Sequence, residues 1–173
     1  MNNPIVCKIW QETDLPHLLS YLYHLDHETR ERFAPHAFNL QTLIELFHHP
    51  SYEGYLLIES ESSFIIGYAI IHHGYFEHDL SRYNQYTLLN HNYSSAMYAP
   101  SLASEWRGKG VGKLFWQFIQ TDLQQKQIKQ VLLWGGVQAK NEIAVRYYYS
   151  LGFQMLGKFE MNGKDNIDMV KLL

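Results

Sequence analysis

Cysteine is almost missing from this chain: Cys7 is the single one in 173 residues. No internal disulfide framework can form, and a reducing compartment is expected. Long apolar runs are missing too, and no basic segment with an apolar core opens the chain. We therefore expect a cytoplasmic protein with no membrane partner. There is no excess of basic charge: 14 Lys and Arg stand against 17 Asp and Glu, a formal net charge of −3. That balance argues against nucleic acid, whose binders carry a basic face. Repeats, low-complexity tracts and a Pro/Gly/Ser linker are all lacking, so residues 1–173 are expected to form a single domain. A chain of this length can bury a full core without staples. Histidine is plentiful, but His24 with His27 and the pairs His48-His49 and His72-His73 have no carboxylate or thiol completing a ligand spacing. No metal is expected.

What is present is glycine, concentrated at one point. Arg107-Gly108-Lys109-Gly110-Val111-Gly112 is entered from a β-type run and followed by an amphipathic helix. Val111, Leu114, Phe115, Phe118, Ile119 and Leu123 share one face at helical spacing, with Lys113, Gln117, Gln120 and Gln124 opposite. Glycines let the backbone turn tightly and approach a ligand closely. A turn ending on a helix N-terminus presents N–H groups and the positive end of the helix dipole, which suits phosphate. Arg107, Lys109 and Lys113 add positive charge. A dinucleotide fingerprint would need glycine where Lys113 stands. A nucleotide-hydrolase phosphate loop would need Ser or Thr where Leu114 stands.

Downstream, Asn141-Glu142-Ile143-Ala144-Val145-Arg146-Tyr147-Tyr148-Tyr149-Ser150-Leu151-Gly152-Phe153 reads as a short helix. Asn141 is a suitable N-cap, and Gly152 closes the helix as a left-handed cap. Ala144, Tyr147, Tyr148 and Leu151 line one side. The two motifs together resemble the GNAT superfamily of acetyl-CoA-dependent N-acetyltransferases. Arg107, Gly110 and Gly112 fill its Arg/Gln-x-x-Gly-x-Gly/Ala pattern. The second segment fills its Asn-x-x-Ala-x-x-x-Tyr-x-x-x-Gly-Phe pattern. The likeness is specific over residues 95–160. Within it, residues 96–108 also resemble bacterial protein-lysine acetyltransferases, which commonly carry a glutamate base where Met97 stands here.

Pattern along the rest of the chain agrees with that fold. Residues 6–10 read as a strand, and Thr13 or Asp14 can cap a helix carrying Leu15, Leu18, Leu19, Leu22 and Leu25, with Pro16 in its first turn. Residues 27–38 read as irregular and 40–48 as a second helix. Runs 55–59 and 64–71 form a hairpin signal across residues 60–63. A polar, aromatic segment follows at 72–93, then a strand at 94–103, the glycine loop with its helix, a strand at 130–137, and the Asn141 helix. A closing hairpin, 153–161 with 166–172, turns at Asn162-Gly163-Lys164. The order β-α-α-β-β-β-α-β-α-β-β is that of the GNAT fold, an α/β mixed sheet. In that family the sheet splays between its fourth and fifth strands to receive the pantetheine arm.

The resemblance implies acetyl-CoA as cosubstrate, an amine acceptor of unspecified identity, and direct transfer in a ternary complex. It assigns the pyrophosphate to Arg107, Gly108, Lys109, Gly110, Val111, Gly112 and Lys113, and the pantetheine to backbone groups of Leu102, Ala103 and Ser104. Asn141 either reaches the pantetheine or only caps its helix. Tyr148 occupies the position of the family's tyrosine acid and would also meet the cofactor. A phenol of ordinary pKa about 10 stays protonated at neutral pH and can donate to a leaving thiolate. Arg32-Phe33 resembles an element that walls the acceptor pocket, and its other reading is a charged helix-terminal turn anchored by Phe33. Glu53, Glu77, His72, His73 and Asp79 are bases by type alone. At Pro100 the strand must bulge or lose a hydrogen bond. The alternative function is a CoA-binding sensor or partner-binding module that has lost turnover, and Met97 is its support.

Overall fold

Leu15, Leu18 and Leu22 recur at helical spacing behind Asp14, and that stripe becomes the buried side of helix α1 (Leu15–His24) in a computed structural model of the protein. Residues 4–173 are described. The first three residues of the expected 1–173 domain lie outside the described residues. The chain divides into two compact units, and each is built from two separate stretches of sequence.

The first unit runs to Ile71 and takes in Ala99–Ile119. Its strands β1 (Ile5–Ile9), β2 (Tyr52–Glu59), β3 (Ile65–His73) and the far half of β4 (Ser95–Leu102) follow one another across the sheet. β1 is antiparallel to β2, with Ile5 opposite Glu59. Helix α2 (His27–Arg32) occupies part of the stretch expected to be irregular. It has no buried residue and no apolar period, so it is held by its cap: the Asp26 carboxylate accepts from Thr29 N–H at 2.9 Å and from Thr29 Oγ1 at 2.6 Å. Helix α3 (Leu40–His48) has the expected bounds, with Asn39 accepting from Thr42 N–H. Leu15, Leu18, Leu22, Leu43, Leu56 and Leu57 are fully enclosed, each worth about 1.5–3 kcal/mol of burial. Trp10 stacks on Tyr68 and lies flat against Gly54, where a Cβ would have no room. Cys7 on β1 is half-buried, and burial pushes its thiol up to about 11.

The second unit comprises His72–Tyr98 and Gln120–Leu173. Here the near half of β4 runs parallel to β5 (Gln130–Leu133), and β5 is antiparallel to β8 (Lys164–Leu172). The run expected as one strand over 130–137 is broken by the turn Trp134-Gly135-Gly136 into β5 and the two-residue β6 (Val137–Gln138), both on β8. β7 (Gln154–Met161) forms the closing hairpin with β8, and Met161 faces Lys164 across the two-residue turn Asn162-Gly163. The expected element order is present, with α2, β6 and the short helix α4 (Leu80–Tyr83) added.

Residues 72–93 are fastened by buried polar groups rather than left as a loose loop. Arg82 Nε meets Asp168 Oδ2 at 2.6 Å, and another guanidinium nitrogen meets Asp79 Oδ1 at 2.8 Å. Tyr86 donates to Asp168 at 2.8 Å, and its ring covers Gly157. The Arg82 guanidinium also lies 3.9 Å from the Phe159 ring centre. Burial raises the Asp168 carboxyl, and the bonds from Arg82 and Tyr86 oppose that rise. Fully buried Gln130 holds the other end, with its Nε2 at 2.7 Å from both Tyr75 Oη and Asn90 O. Removing one partner of a buried ion pair leaves the other charge uncompensated. Asp168→Asn is therefore expected to lower stability by about 3 kcal/mol in urea unfolding. Exposed Asp165→Asn should change it by less than about 0.5 kcal/mol.

Candidate active site

Strand β4 carries the site, and its hydrogen bonding changes halfway along. Ser95–Tyr98 pair in register with Gln130–Leu133, and Trp134 N–H closes that ladder on Tyr98 O at 2.9 Å. Two residues later stands Pro100, which has no N–H with which to extend a ladder. The far half keeps its bonds to β3: Ala103 N–H donates to Ile66 O, and Ser101 Oγ donates to Tyr68 O. Tyr21 of α1 donates to Ser101 Oγ at 3.1 Å in turn, so a buried hydroxyl chain fixes the end of β4.

Beyond β4, Ser104–Trp106 form one 3-10 turn, and the glycine loop leads into helix α5 (Val111–Gln125). Gly108 and Gly110 have φ of +73° and +79°, the left-handed region that side chains disfavour, and a Cβ on either would meet nothing within 4 Å. Their need is conformational, and the space beside them is open. Lys113 and Leu114 N–H both turn back to Gly110 O, so the N–H groups from Gly108 to Val111 precede the first intrahelical bonds. Along α5 the buried face is Val111, Phe115, Trp116, Ile119 and Leu123. Leu114, expected inside, is exposed, and Trp116 takes its place because the buried stripe runs one position further round the helix. Lys113 is exposed, and the Lys109 ammonium sits 5.0 Å over the Trp106 ring.

Arg107 is placed differently from a free phosphate-facing cation. Its Nη2 lies 2.9 Å from Asp26 Oδ2 and donates to Thr29 Oγ1, and both Nε and Nη2 reach Leu102 O at 3.3 Å. Hydrogen bonds from Thr29, joined by Arg107, hold the Asp26 carboxyl below its usual range. Sequence reading missed this pair because its members are 81 residues apart. The nearest signal was Asp26 with Thr29 three residues on, the pattern of a helix cap.

Helix α6 (Glu142–Ser150) matches its expected caps. Asn141 Oδ1 accepts from Ala144 N–H at 3.2 Å, so its side chain is engaged in capping. Gly152, at φ +86°, closes the far end: its N–H bonds Tyr149 O, and Phe153 N–H bonds Tyr148 O. The three tyrosines then separate by environment. Tyr149 is about half exposed. The Tyr147 ring lies 5.4 Å from that of Tyr148, and burial pushes its phenol up to about 12. Tyr148 packs edge-on against Phe153, and burial raises its phenol well above the ordinary value.

The remaining candidates fall mainly into structural places. Met97 is fully buried among Tyr83, Leu89, Leu132 and Val170, so nothing at that position can take a proton. Asp79 is held by Arg82, Glu53 accepts from Tyr55 Oη, and His72 stacks on Phe76 at 4.2 Å. Phe33 is buried with Phe38, His36 and Tyr68, whereas Arg32 pairs with Glu28 at the surface. Beside them is a shallow depression lined by Tyr23, His27, Arg30, Glu31, Ala34, His36 and Phe38. His36 in it stays neutral, its pKa lowered by burial, and its Nε2 lies 3.2 Å from Tyr68 Oη. Among the described residues no three His, Cys, Asp or Glu side chains form a group able to hold a metal ion. Likewise no helix among them is long and apolar enough to cross a membrane.

A mixed sheet with a parallel ladder, a strand leading into a glycine turn and a capped tyrosine helix make this an α/β protein whose glycine turn suits an anion. The model of the acetyltransferase (GNAT) family matches residues 19–153, and the chain belongs to that family. No curated protein matches the chain in sequence. Solved structures agree on the fold. The ribosomal-protein-S5-alanine acetyltransferase of Vibrio fischeri superposes with a TM-score of 0.74 at 16% identity, covering 97% of this chain and 92% of its own. The GNAT domain of S. lividans PAT gives 0.73 at 14% identity, covering 96% and 89%. Spermidine N-acetyltransferase from Vibrio cholerae, solved with CoA and spermine, gives 0.70 at 18%, covering 99% and 96%.

The loop glycines differ in what they need. Gly110→Ala forces a side chain into the left-handed region and should cost about 1–2 kcal/mol. Gly112 lies within α5, where alanine is the better helix former, so Gly112→Ala should be neutral or slightly stabilising. Thermal unfolding of the two variants checks the contrast.

Proposed function

We propose that the chain transfers an acetyl group from acetyl-CoA to a primary amine by direct attack in a ternary complex, acting as one domain over residues 1–173. The observation that carries this reading is the turn from Arg107 to Gly112, with its left-handed glycines, open flank and helix start. Those residues fit a pyrophosphate. Main-chain N–H groups from Gly108 to Val111 would hold it at the start of the helix that Gly112 continues, with charge from Lys109 and Lys113. Leu102, Ala103 and Ser104 would lie along the pantetheine through their backbone, as an added strand does. Asn141 serves its helix first, and any contact it makes with the cofactor is through a side chain already turned to the cap. The single-domain reading is supported by the chain path, which passes between the two units at 71–72, 98–99 and 119–120. The single cysteine of the sequence, which leaves no internal disulfide to form, supports a cytoplasmic location.

Acetyl-CoA supplies an activated carbonyl and a thiolate leaving group. The amine must lose a proton, and with Met97 buried no side chain at that position takes it, so water is the acceptor in this reading. Tyr148 holds a proton on Oη for the thiolate. Its raised pKa keeps it protonated throughout the neutral range. Arg32 presents charge on the acceptor side, with Phe33 anchoring its loop. Burial of Met97 favours one second reading, a CoA-binding module without turnover.

Gly110→Val should weaken CoA binding at least tenfold, about 1.4 kcal/mol, in calorimetry on the folded variant. Unchanged affinity would remove the cofactor assignment. Tyr148→Phe keeps the ring and deletes the donor. In an amine screen followed by thiol release, its kcat should fall by about 10²–10⁴, with acetyl-CoA affinity moving less than about tenfold. A variant with full turnover while chemistry limits the rate would refute the acid role. Wild-type protein that binds CoA yet releases no thiol with any amine would leave the non-catalytic reading standing.

A further inference from the structure

We infer that Arg107 and Asp26 are positioning residues that couple the glycine loop to helix α2, so that occupying the loop orders the α2 segment and the reverse. This rests on the proposed cofactor reading of the loop and adds a coupling between it and a second element. Four contacts carry it, all within the first unit. Arg107 Nε and Nη2 close on Leu102 O, five residues back, which braces the turn from the end of β4 to the first loop glycine. The same Nη2 reaches Asp26 Oδ2 at 2.9 Å and Thr29 Oγ1. Asp26 and Thr29 are the residues that start α2.

The geometry leaves α2 few other supports. It has six residues, none of them buried, and isolated helices of such length do not persist in water. Buried Leu25 and Phe33 anchor the chain on either side of it, and between them its first turn is held by the Asp26 cap and by what holds Asp26. That carboxylate has two tasks: it accepts Thr29 N–H and Oγ1 locally, and it binds the guanidinium of the loop. Leu102 O faces away from β3, to which Ala103 is bonded, and the side chain of Arg107 engages it. A ligand that fixes the loop backbone fixes the base of Arg107, and with it the partner of Asp26. The loop and the α2 segment, which carries Arg32 and lines the depression with His27, Arg30 and Glu31, thus share one ion pair. Coupling of two elements through a shared contact is reciprocal in binding free energy.

The test separates charge from cap. Asn caps helices as well as Asp does, so Asp26→Asn keeps α2 started and removes the charge to Arg107. Arg107→Gln keeps a residue that the family pattern admits at this position and removes the guanidinium. Amide hydrogen exchange of residues 27–33 is measured with and without CoA in wild type, both single variants and the double variant, alongside CoA calorimetry. CoA should slow exchange there about threefold or more in wild type. Each single variant should lose that slowing and bind CoA about three- to tenfold more weakly, and the double variant no more weakly than either. Slowing that survives in Asp26→Asn, or losses that multiply in the double variant, overturns the coupling. If wild-type protein does not bind CoA, the cofactor reading itself fails and the inference falls with it. If it binds CoA without any change at residues 27–33, only the coupling fails.

Discussion

The parallel ladder between β4 and β5 stops at Tyr98, and most of what is distinctive about this chain follows from that stop. A strand inside a sheet normally spends its N–H and C=O groups on both neighbours. Pro100 lacks the N–H that would carry the ladder two residues further. β4 therefore enters its far half bonded to β3 alone, through Ser101 and Ala103. The end of the strand then depends on side chains: Tyr21 on Ser101 from one helix, and Arg107 folded back onto Leu102 O. Under the proposed reading the cofactor arm would lie along this ending, beside a residue that cannot be a donor.

Polar groups, more than apolar ones, decide where the irregular segments lie. In the second unit residues 72–93 have little regular structure, yet they carry Arg82 and Tyr86 onto Asp168 and offer Tyr75 and Asn90 to Gln130. Each partner is buried on a strand, so releasing the segment would strand an amide or a carboxylate away from water. In the first unit the same logic works at smaller scale, with Asp26 starting a helix that packs nothing.

Elements with an apolar period or a named cap were legible in the sequence. α1 and α3 were read from their apolar period and α6 from the Asn141 and Gly152 pair, and the hairpin turn showed itself as Asn162-Gly163-Lys164. α2 was not legible because His-Glu-Thr-Arg-Glu-Arg has no apolar face, and its cap had only Thr29 to mark it. The break after Leu133 was overlooked because an apolar run masked Gly135-Gly136, the pair that should have signalled a turn. Leu114 and Trp116 were exchanged because both fit a helical stripe, and only the packing partner decides which edge of the stripe turns inward. In the candidate site the glycine loop and the choice of Tyr148 came from spacing. The tie from Arg107 to Asp26 could not, since spacing says nothing about residues 81 positions apart.

The half-buried thiol on β1 has a bearing on chemistry far from its own strand. Under the proposed reaction every turnover liberates a small-molecule thiol, and a disulfide reagent used to count it can exchange with a protein thiol as well. Exchange requires a thiolate on one side. With its pKa pushed up to about 11, Cys7 supplies almost none at neutral pH. A disulfide reagent added to the folded protein is therefore expected to report the released thiol with little contribution from Cys7.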